Sequence, residues 1–492
     1  MPRVPWVIVC AVLLLVPSLA SHAQEIVNRI DLDDGDPDLV PDSPYGAAIS
    51  PDGRFLLVCI SGDPDFDPNP PQLNNNEVRV IDRATDSVVN TVSTGFFPVE
   101  CAVTVHGEDA YLYVANSSDG TVSVFRAAGG DFDDPARVSE TEGSPVDVGF
   151  FSFPNGVVAS EDGRSVFVST SGGTGEILRV DADPSSPTFN TVLETIVTAG
   201  VVNRMAVHEG RLVATQSVFD ATYTFSTARV TLLDVDDPAD RSEIYLTPQL
   251  DIGLGELGSA VDVALRPDGT AYVTVLGAGT GSNLFVLDVA NRTLARTVNL
   301  SIAGSENLHG IGISPDGRLA AITALDAAKI VLLDLRDDSV VAVLDVEDQP
   351  NEAVWSLASD RLYVTNQGDA SVSVAARFPG RDLVLAGTTT PSLGGVIELE
   401  VRGGDEGRRG GVVFSEAGND GTVFKGFPVP ISDPVQILSS GTFDVRGRFL
   451  PAPVSVPADP SWIGKTVYYL AGTRDGGGEV RFSNVLTVIH QP

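Results

Sequence analysis

The chain has 492 residues, with 66 acidic side chains against 31 basic ones and a formal net charge of −35 at neutral pH. A surface this acidic repels nucleic acid and anionic lipid, so neither is expected as a partner. The charge reads first as solubility or adaptation to salt, and second as cation binding.

The opening residues have the form of a secretory leader. Arg3 is the charged start, Val7 to Val16 the apolar core, and Ser21-His22-Ala23 a small-residue cleavage site. The apolar run is short for a bilayer span of ~20 residues, which favours cleavage over an uncleaved anchor. Residues 1–23 are expected to leave as a signal peptide, placing the mature protein in the periplasm, on the surface or in the medium. No later stretch is apolar enough to form a transmembrane helix. Next comes Glu25 to Leu32, a strand pattern that precedes the first repeat.

From residue 44 to 380 one pattern recurs seven times. Each copy opens with an apolar strand, a tight turn and a second apolar strand. Ser50-Pro51-Asp52-Gly53 and Ser314-Pro315-Asp316-Gly317 are the full turns, and Ser160-Glu161-Asp162-Gly163 and Arg266-Pro267-Asp268-Gly269 are variants. Pro presets φ and Gly accepts positive φ, as such a hairpin requires. A third strand often ends in Asp, from Val78 to Asp82 in the first copy to Val372 to Ala375 in the last. Most copies add a fourth, such as Ser87 to Thr94 or Ser339 to Val346. Four strands at a period of ~45 residues describe one blade of a β-propeller. The last copy ends early at Phe378-Pro379-Gly380, and Glu25 to Leu32 has the pattern of its missing strand. The expected fold is all-β: a seven-bladed propeller over 24–380 closed by an N-terminal strand, then a small β-sandwich over 381–492.

Tyr113-Val114-Ala115-Asn116 and Tyr363-Val364-Thr365-Asn366 carry a resemblance to the YVTN family of β-propeller repeats. The resemblance implies an exported or surface-layer protein of bacterial or archaeal type. Similar seven-bladed propellers include lactonases and quinoprotein dehydrogenases. Copies two and four depart at the turn, with Val105-His106-Gly107-Glu108-Asp109 and His208-Glu209-Gly210.

Propeller ligands bind where the innermost strands begin. Aligned first strands place Tyr45, Val99, Asn155, Asn203, Val261, His309 and Asn351 in one ring. The next residues are Gly46, Glu100, Gly156, Arg204, Asp262, Gly310 and Glu352. Carboxylates, an arginine and a histidine at one mouth suit cation binding or acid–base work, with His309 the proton carrier and Arg204 the anion holder. The plainer alternative is solvated or mutually paired charges. Successive strand residues point to opposite faces, so only part of the set is expected in one pocket.

Two long loops add candidates. Ser61 to Glu77 holds Asp63, Asp65 and Asp67, an alternating set that suits Ca²⁺ through oxygen ligands, against the plainer reading of an acidic solvated loop. Ser217 to Thr227 holds Phe219, Tyr223 and Phe225. Cys10 leaves with the leader. Cys59 and Cys101 either form a bridge or stay as two buried thiols.

Other motifs are dismissed. Gly253-Leu254-Gly255-Glu256-Leu257-Gly258 has no helix after it to meet a pyrophosphate. No G-x-S-x-G, H-E-x-x-H or C-x-x-C-H occurs. In the C-terminal segment, Trp462 is read as a core anchor. The reading is a non-catalytic binding protein that requires no cofactor and recognises a protein, glycan or small molecule at the propeller face. The alternative is a lactonase-like hydrolase using a carboxylate-held metal with His309, Glu100 and Arg204.

Overall fold

The computed structural model describes residues 25–33, 42–61, 76–149, 151–172, 175–252, 257–276, 283–300, 307–376, 384–404, 407–416, 422–424, 427–429, 435–444, 448–474 and 480–491. The protein is all-β and propeller-like. Between Glu25 and Ala376 the described strands form seven antiparallel sheets of four or five strands. Their first strands are Pro44–Ile49, Pro98–His106, Pro154–Ala159, Val201–His208, Ser259–Leu265, Leu308–Ile313 and Pro350–Trp355. Each pairs with the second strand of its hairpin, and the third and fourth follow outward. In the second sheet two short pieces, Val138–Glu140 and Val146–Asp147, share the outer edge. In the seventh, Glu25–Asp31 pairs antiparallel with Ser371–Ala376, placing Ile30 opposite Val372.

The second strands explain the packing. Every residue of Phe55–Ile60 is buried, because a strand held between two neighbouring sheets buries both of its faces. Phe55, Leu57 and Cys59 pack with Leu112 and Val114 of the second sheet. The alternating Leu56, Val58 and Ile60 pack with Tyr363, Val372 and Val374 of the seventh. Fully burying such a side chain contributes roughly 1.5–3 kcal/mol, so these clusters dominate cohesion between sheets. Fourth strands lie at the solvent, and Thr293–Asn299 is almost wholly exposed.

The turns add a side-chain lock. Ser50 Oγ donates to Asp52 Oδ1 at 2.6 Å and accepts the Phe55 N–H at 2.9 Å, while Gly53 takes φ 73°. The two departing copies use tighter turns. Gly107 has φ 65° between paired His106 and Asp109. Glu209 and Gly210 have φ 47° and 72° between His208 and Arg211. These are two-residue hairpin loops whose twist matches the strands.

The C-terminal residues form further sheets, the largest running Gln436–Thr442, Arg409–Ser415, Thr466–Arg474, Val480–Ile489. Their core gathers Leu385, Val401, Val412, Phe443, Tyr469 and Val488, with half-buried Trp462 packed against it. Trp462 meets His490 edge-on at 5.0 Å. Among the described residues no helix is long and apolar enough to cross a membrane.

Candidate functional site

Each first strand carries a β-bulge near its start. The register slips between Pro44 and Ala47, Pro98 and Glu100, Pro154 and Gly156, Val202 and Met205, Ala260 and Val263, Leu308 and Ile311, and Pro350 and Ala353. A bulge takes a backbone N–H out of the ladder and breaks the strict alternation of faces. It falls on the two rings picked out from sequence. Neighbours in sequence therefore line one cavity of about 190 Å³. Tyr45, Asn155, Asn203, Val261 and His309 come from the first ring, and Arg204, Asp262, Gly310 and Glu352 from the second. Only part of the two rings lines it, as expected, and the neighbours that line it together are Asn203 with Arg204, Val261 with Asp262, and His309 with Gly310. Glu100 and Asn351 lie outside the lining, whereas Ser259 and Leu276, absent from the sequence reading, belong to it.

The freed N–H groups are caught by a row of hydroxyls one strand away. Thr215 Oγ1 accepts the Arg204 N–H at 3.0 Å and donates to the Val261 carbonyl at 3.0 Å. Thr274 joins the Asp262 N–H (3.1 Å) to the His309 carbonyl (2.5 Å). Thr323 joins the Gly310 N–H (2.7 Å) to the Asn351 carbonyl (3.0 Å). Thr365 joins the Glu352 N–H (3.0 Å) to the Tyr45 carbonyl (2.7 Å), from the seventh sheet to the first. Each threonine ties the bulge of its own sheet to the first strand of the next. The equivalent residues of the first three sheets are Cys59, Ala115 and Ser169. Two of these have no hydroxyl, and Ser169 Oγ is buried without a partner. Crowding also explains a glycine: a Cβ on Gly310 would stand 2.1 Å from the Asn351 oxygen.

Arg204 is the hub of the charged groups. Its Nε lies 3.1 Å from Glu100 Oε2, and its Nη1 donates to the Asn155 carbonyl and to Asn155 Oδ1. Burial pulls its pKa down, but Glu100, Glu352 and Asp262 more than offset this. Asp262 accepts the N–H groups of Val263 at 2.7 Å and Ile311 at 2.8 Å. Glu100 Oε1 accepts the Cys101 N–H at 3.1 Å. Burial pushes the Glu100 carboxyl up to about 7 against the pull of Arg204. Burial, with repulsion from Asp262 and Glu100, drives Glu352 well up, and burial raises Asp262 as well. His309 falls to about 4, first through burial and then through Arg204. It bonds the Asn351 backbone, and its Nδ1 has no hydrogen-bond partner. At neutral pH this imidazole is uncharged, so it offers an acceptor rather than a transferable proton. Tyr45 closes another side, its hydroxyl receiving Gln367 Nε2 at 2.8 Å, and Gln367 Oε1 takes Asn351 Nδ2 at 3.3 Å.

Cys59 and Cys101 are buried free thiols, so the bridge that the sequence allowed is not formed. Both pack as small apolar side chains between the first and second sheets, with Cys101 Sγ 3.9 Å from the Leu57 carbonyl. Burial pushes the Cys59 thiol well up, which removes thiolate reactivity. Asp63, Asp65 and Asp67 lie outside the described residues. Among the described residues no three His, Cys, Asp or Glu side chains are grouped to hold a metal ion. In the fourth sheet, Phe219 stacks on Tyr223 with centroids 5.6 Å apart, beside a second cavity of about 280 Å³.

No protein-family model and no curated protein sequence matches the chain. Among solved structures, the chain is similar to one of Kuenenia stuttgartiensis hydrazine synthase, with a TM-score of 0.54 and 19% identity. The match covers 68% of this chain and 96% of that one. At that identity it speaks to the all-β propeller-like fold alone.

Proposed function

We propose that the seven sheets are the blades of a closed, YVTN-like propeller. It is exported after loss of residues 1–23, is followed by a β-sandwich over 381–492, and acts as a non-catalytic binding protein through its channel mouth. The strand Glu25–Asp31 on the seventh sheet and the Thr365–Tyr45 bond support closure. The observation that carries the binding reading is how the polar groups at the cavity are spent. Arg204 is held by Glu100 and Asn155, and Asp262 by two backbone N–H groups. Groups so fixed shape and polarise a pocket but are not free to move protons. A lactonase-like hydrolase would rest on His309, whose imidazole becomes an acid only near pH 4. The ligand sought is a small molecule in the cavity, with the Phe219–Tyr223 hairpin as a further contact for a protein or glycan.

A thermal-shift screen of small polar molecules tests this. Val261 lines the cavity, so Val261→Phe fills it. A compound that raises the melting temperature of the wild type but not of this variant supports the reading. Turnover of a lactone panel that disappears in His309→Ala overturns it in favour of the hydrolase.

A further inference from the structure

We infer that the second cavity, in the fourth sheet, binds one pyranose ring of a neutral glycan whose ring hydroxyls are equatorial. The inference rests on the further contact read above at the Phe219–Tyr223 hairpin, not on the channel mouth, and names its ligand. The cavity, of about 280 Å³, sits where the outer edge of the sheet is broken. Arg241–Tyr245 pairs with residues 229–233, and Leu250–Asp251 pairs with Phe225 and Ser226. Thr227 and Ala228 fall in the gap between these two pieces. Ala228 is served from the break itself, its N–H by Thr247 Oγ1 at 2.9 Å and its carbonyl by the Leu246 N–H at 2.9 Å. Thr227 lines the cavity, and Tyr245, opposite Arg229, shares its face of the sheet. Phe219 supplies another wall. The volume lies just below the range of drug-sized sites, which is room for about one sugar ring.

The aromatic rings here are braced but uncovered. Tyr223, Tyr245 and Phe225 are 69%, 59% and 36% exposed. Tyr223 stacks on Phe219, with centroids 5.6 Å apart. Tyr245 is backed by the Arg229 guanidinium, 5.9 Å from its ring centre, and Arg229 is itself buried and bonded to Gln216 and Glu243. Asp220 holds the hairpin, its carboxylate accepting the N–H groups of Thr224 at 2.7 Å and Phe225 at 2.8 Å. Rings fixed in this way cost little to order on binding, and exposed apolar rings rimmed by polar groups mark a ligand site. The polar wall is Asp220, Thr227, Thr247 and Gln249. A pyranose with equatorial hydroxyls matches both parts. Its flat C–H faces suit the aromatic rings, and its rim of hydroxyls both donates and accepts. An aliphatic side chain would leave the polar wall unpaired. An anionic sugar would meet Asp220 and a protein of net charge −35.

The test is affinity electrophoresis in native gels that carry hydroxyethyl cellulose, glycol chitin or carboxymethyl cellulose. The first two are neutral β-linked chains, and the third is the backbone of the first with carboxylates added. The expected result is retardation in at least one neutral gel, and weaker or no retardation in carboxymethyl cellulose. Tyr245→Ala and Tyr223→Ala should each raise the apparent dissociation constant roughly three- to tenfold, the weight of one aromatic face. Tyr245→Phe keeps the ring and should stay within about twofold of the wild type. Both tyrosines are more than half exposed, so the melting temperature should not move. Retardation in neither neutral gel, stronger retardation in carboxymethyl cellulose, or retardation indifferent to both alanine variants overturns the inference. If Val261→Phe abolishes retardation and the alanine variants do not, the glycan sits in the channel; the inference falls while the binding reading stands. If the alanine variants lose retardation and the wider screen finds no ligand sensitive to Val261→Phe, the inference stands and the channel mouth falls.

Discussion

Replacing Thr365 with valine keeps the shape of the side chain and removes one oxygen. That oxygen accepts the Glu352 N–H at 3.0 Å and donates to the Tyr45 carbonyl at 2.7 Å. Thr365 is 1% exposed, so water does not take its place. Two buried backbone groups are left unpaired, at about 1–2 kcal/mol each, which gives roughly 2–4 kcal/mol in total. The assay is denaturant unfolding, read as a shift of midpoint at constant slope. Thr215→Val, Thr274→Val and Thr323→Val remove the same pair of bonds at other junctions and should cost similar amounts. The comparison makes the result diagnostic. If Thr365→Val falls below ~0.5 kcal/mol while the other three show the expected loss, the seventh and first sheets do not meet and the closed ring is refuted. If all four are silent, the hydroxyls do not stitch the sheets.

Three further outcomes are expected. The Glu100 carboxyl is pushed up to about 7, so the folded protein binds a proton there that the unfolded chain has lost. Its contribution to stability is therefore greatest at low pH and falls as pH rises from the ordinary carboxylate range through about 7, by on the order of 3 kcal/mol. Glu100→Gln should gain on the wild type across that window in urea melts, and a gap that does not change with pH would refute the assignment. Gly310→Ala drives a Cβ to 2.1 Å from a backbone oxygen and should cost at least ~2 kcal/mol, whereas Gly107→Ala meets nothing within 4 Å and should cost only the ~1 kcal/mol of its positive φ. In a chain beginning at residue 24, mass spectrometry without reductant should find two alkyl groups added in denaturant and none in the native state, from Cys59 and Cys101.

What was legible in the sequence was local. The third strands Asn283–Asp288 and Lys329–Asp334 end at the Asp that closes the repeat pattern in the sequence, because alternation and turn residues both lie within a few consecutive positions. The strand Glu25–Asp31 found its pairing partner from pattern alone. The site was legible only as a set of positions. That Arg204 reaches back across the third sheet to Glu100 in the second depends on how three sheets are set side by side, which no single strand records. The same holds for His309. Its residue type suits a proton carrier, but burial beside Arg204 makes it an uncharged acceptor.

The bulges were hidden for a related reason. A bulge is a mismatch of register between two strands, and each strand read alone keeps its alternation. Yet one trace was present in the chain. Aligned on Thr365, the second strands carry Cys59, Ala115, Ser169, Thr215, Thr274, Thr323 and Thr365. If β propensity alone governed this column, valine or isoleucine would serve as well as threonine, and the residue just before it is a valine in five of the seven strands. The column holds neither. It holds small residues and hydroxyls, which is the choice a strand makes when that side chain must satisfy a backbone group instead of packing against a neighbour. Where the hydroxyl is missing, at Cys59 and Ala115, the same column admits only side chains small enough to let the first strands stay in contact.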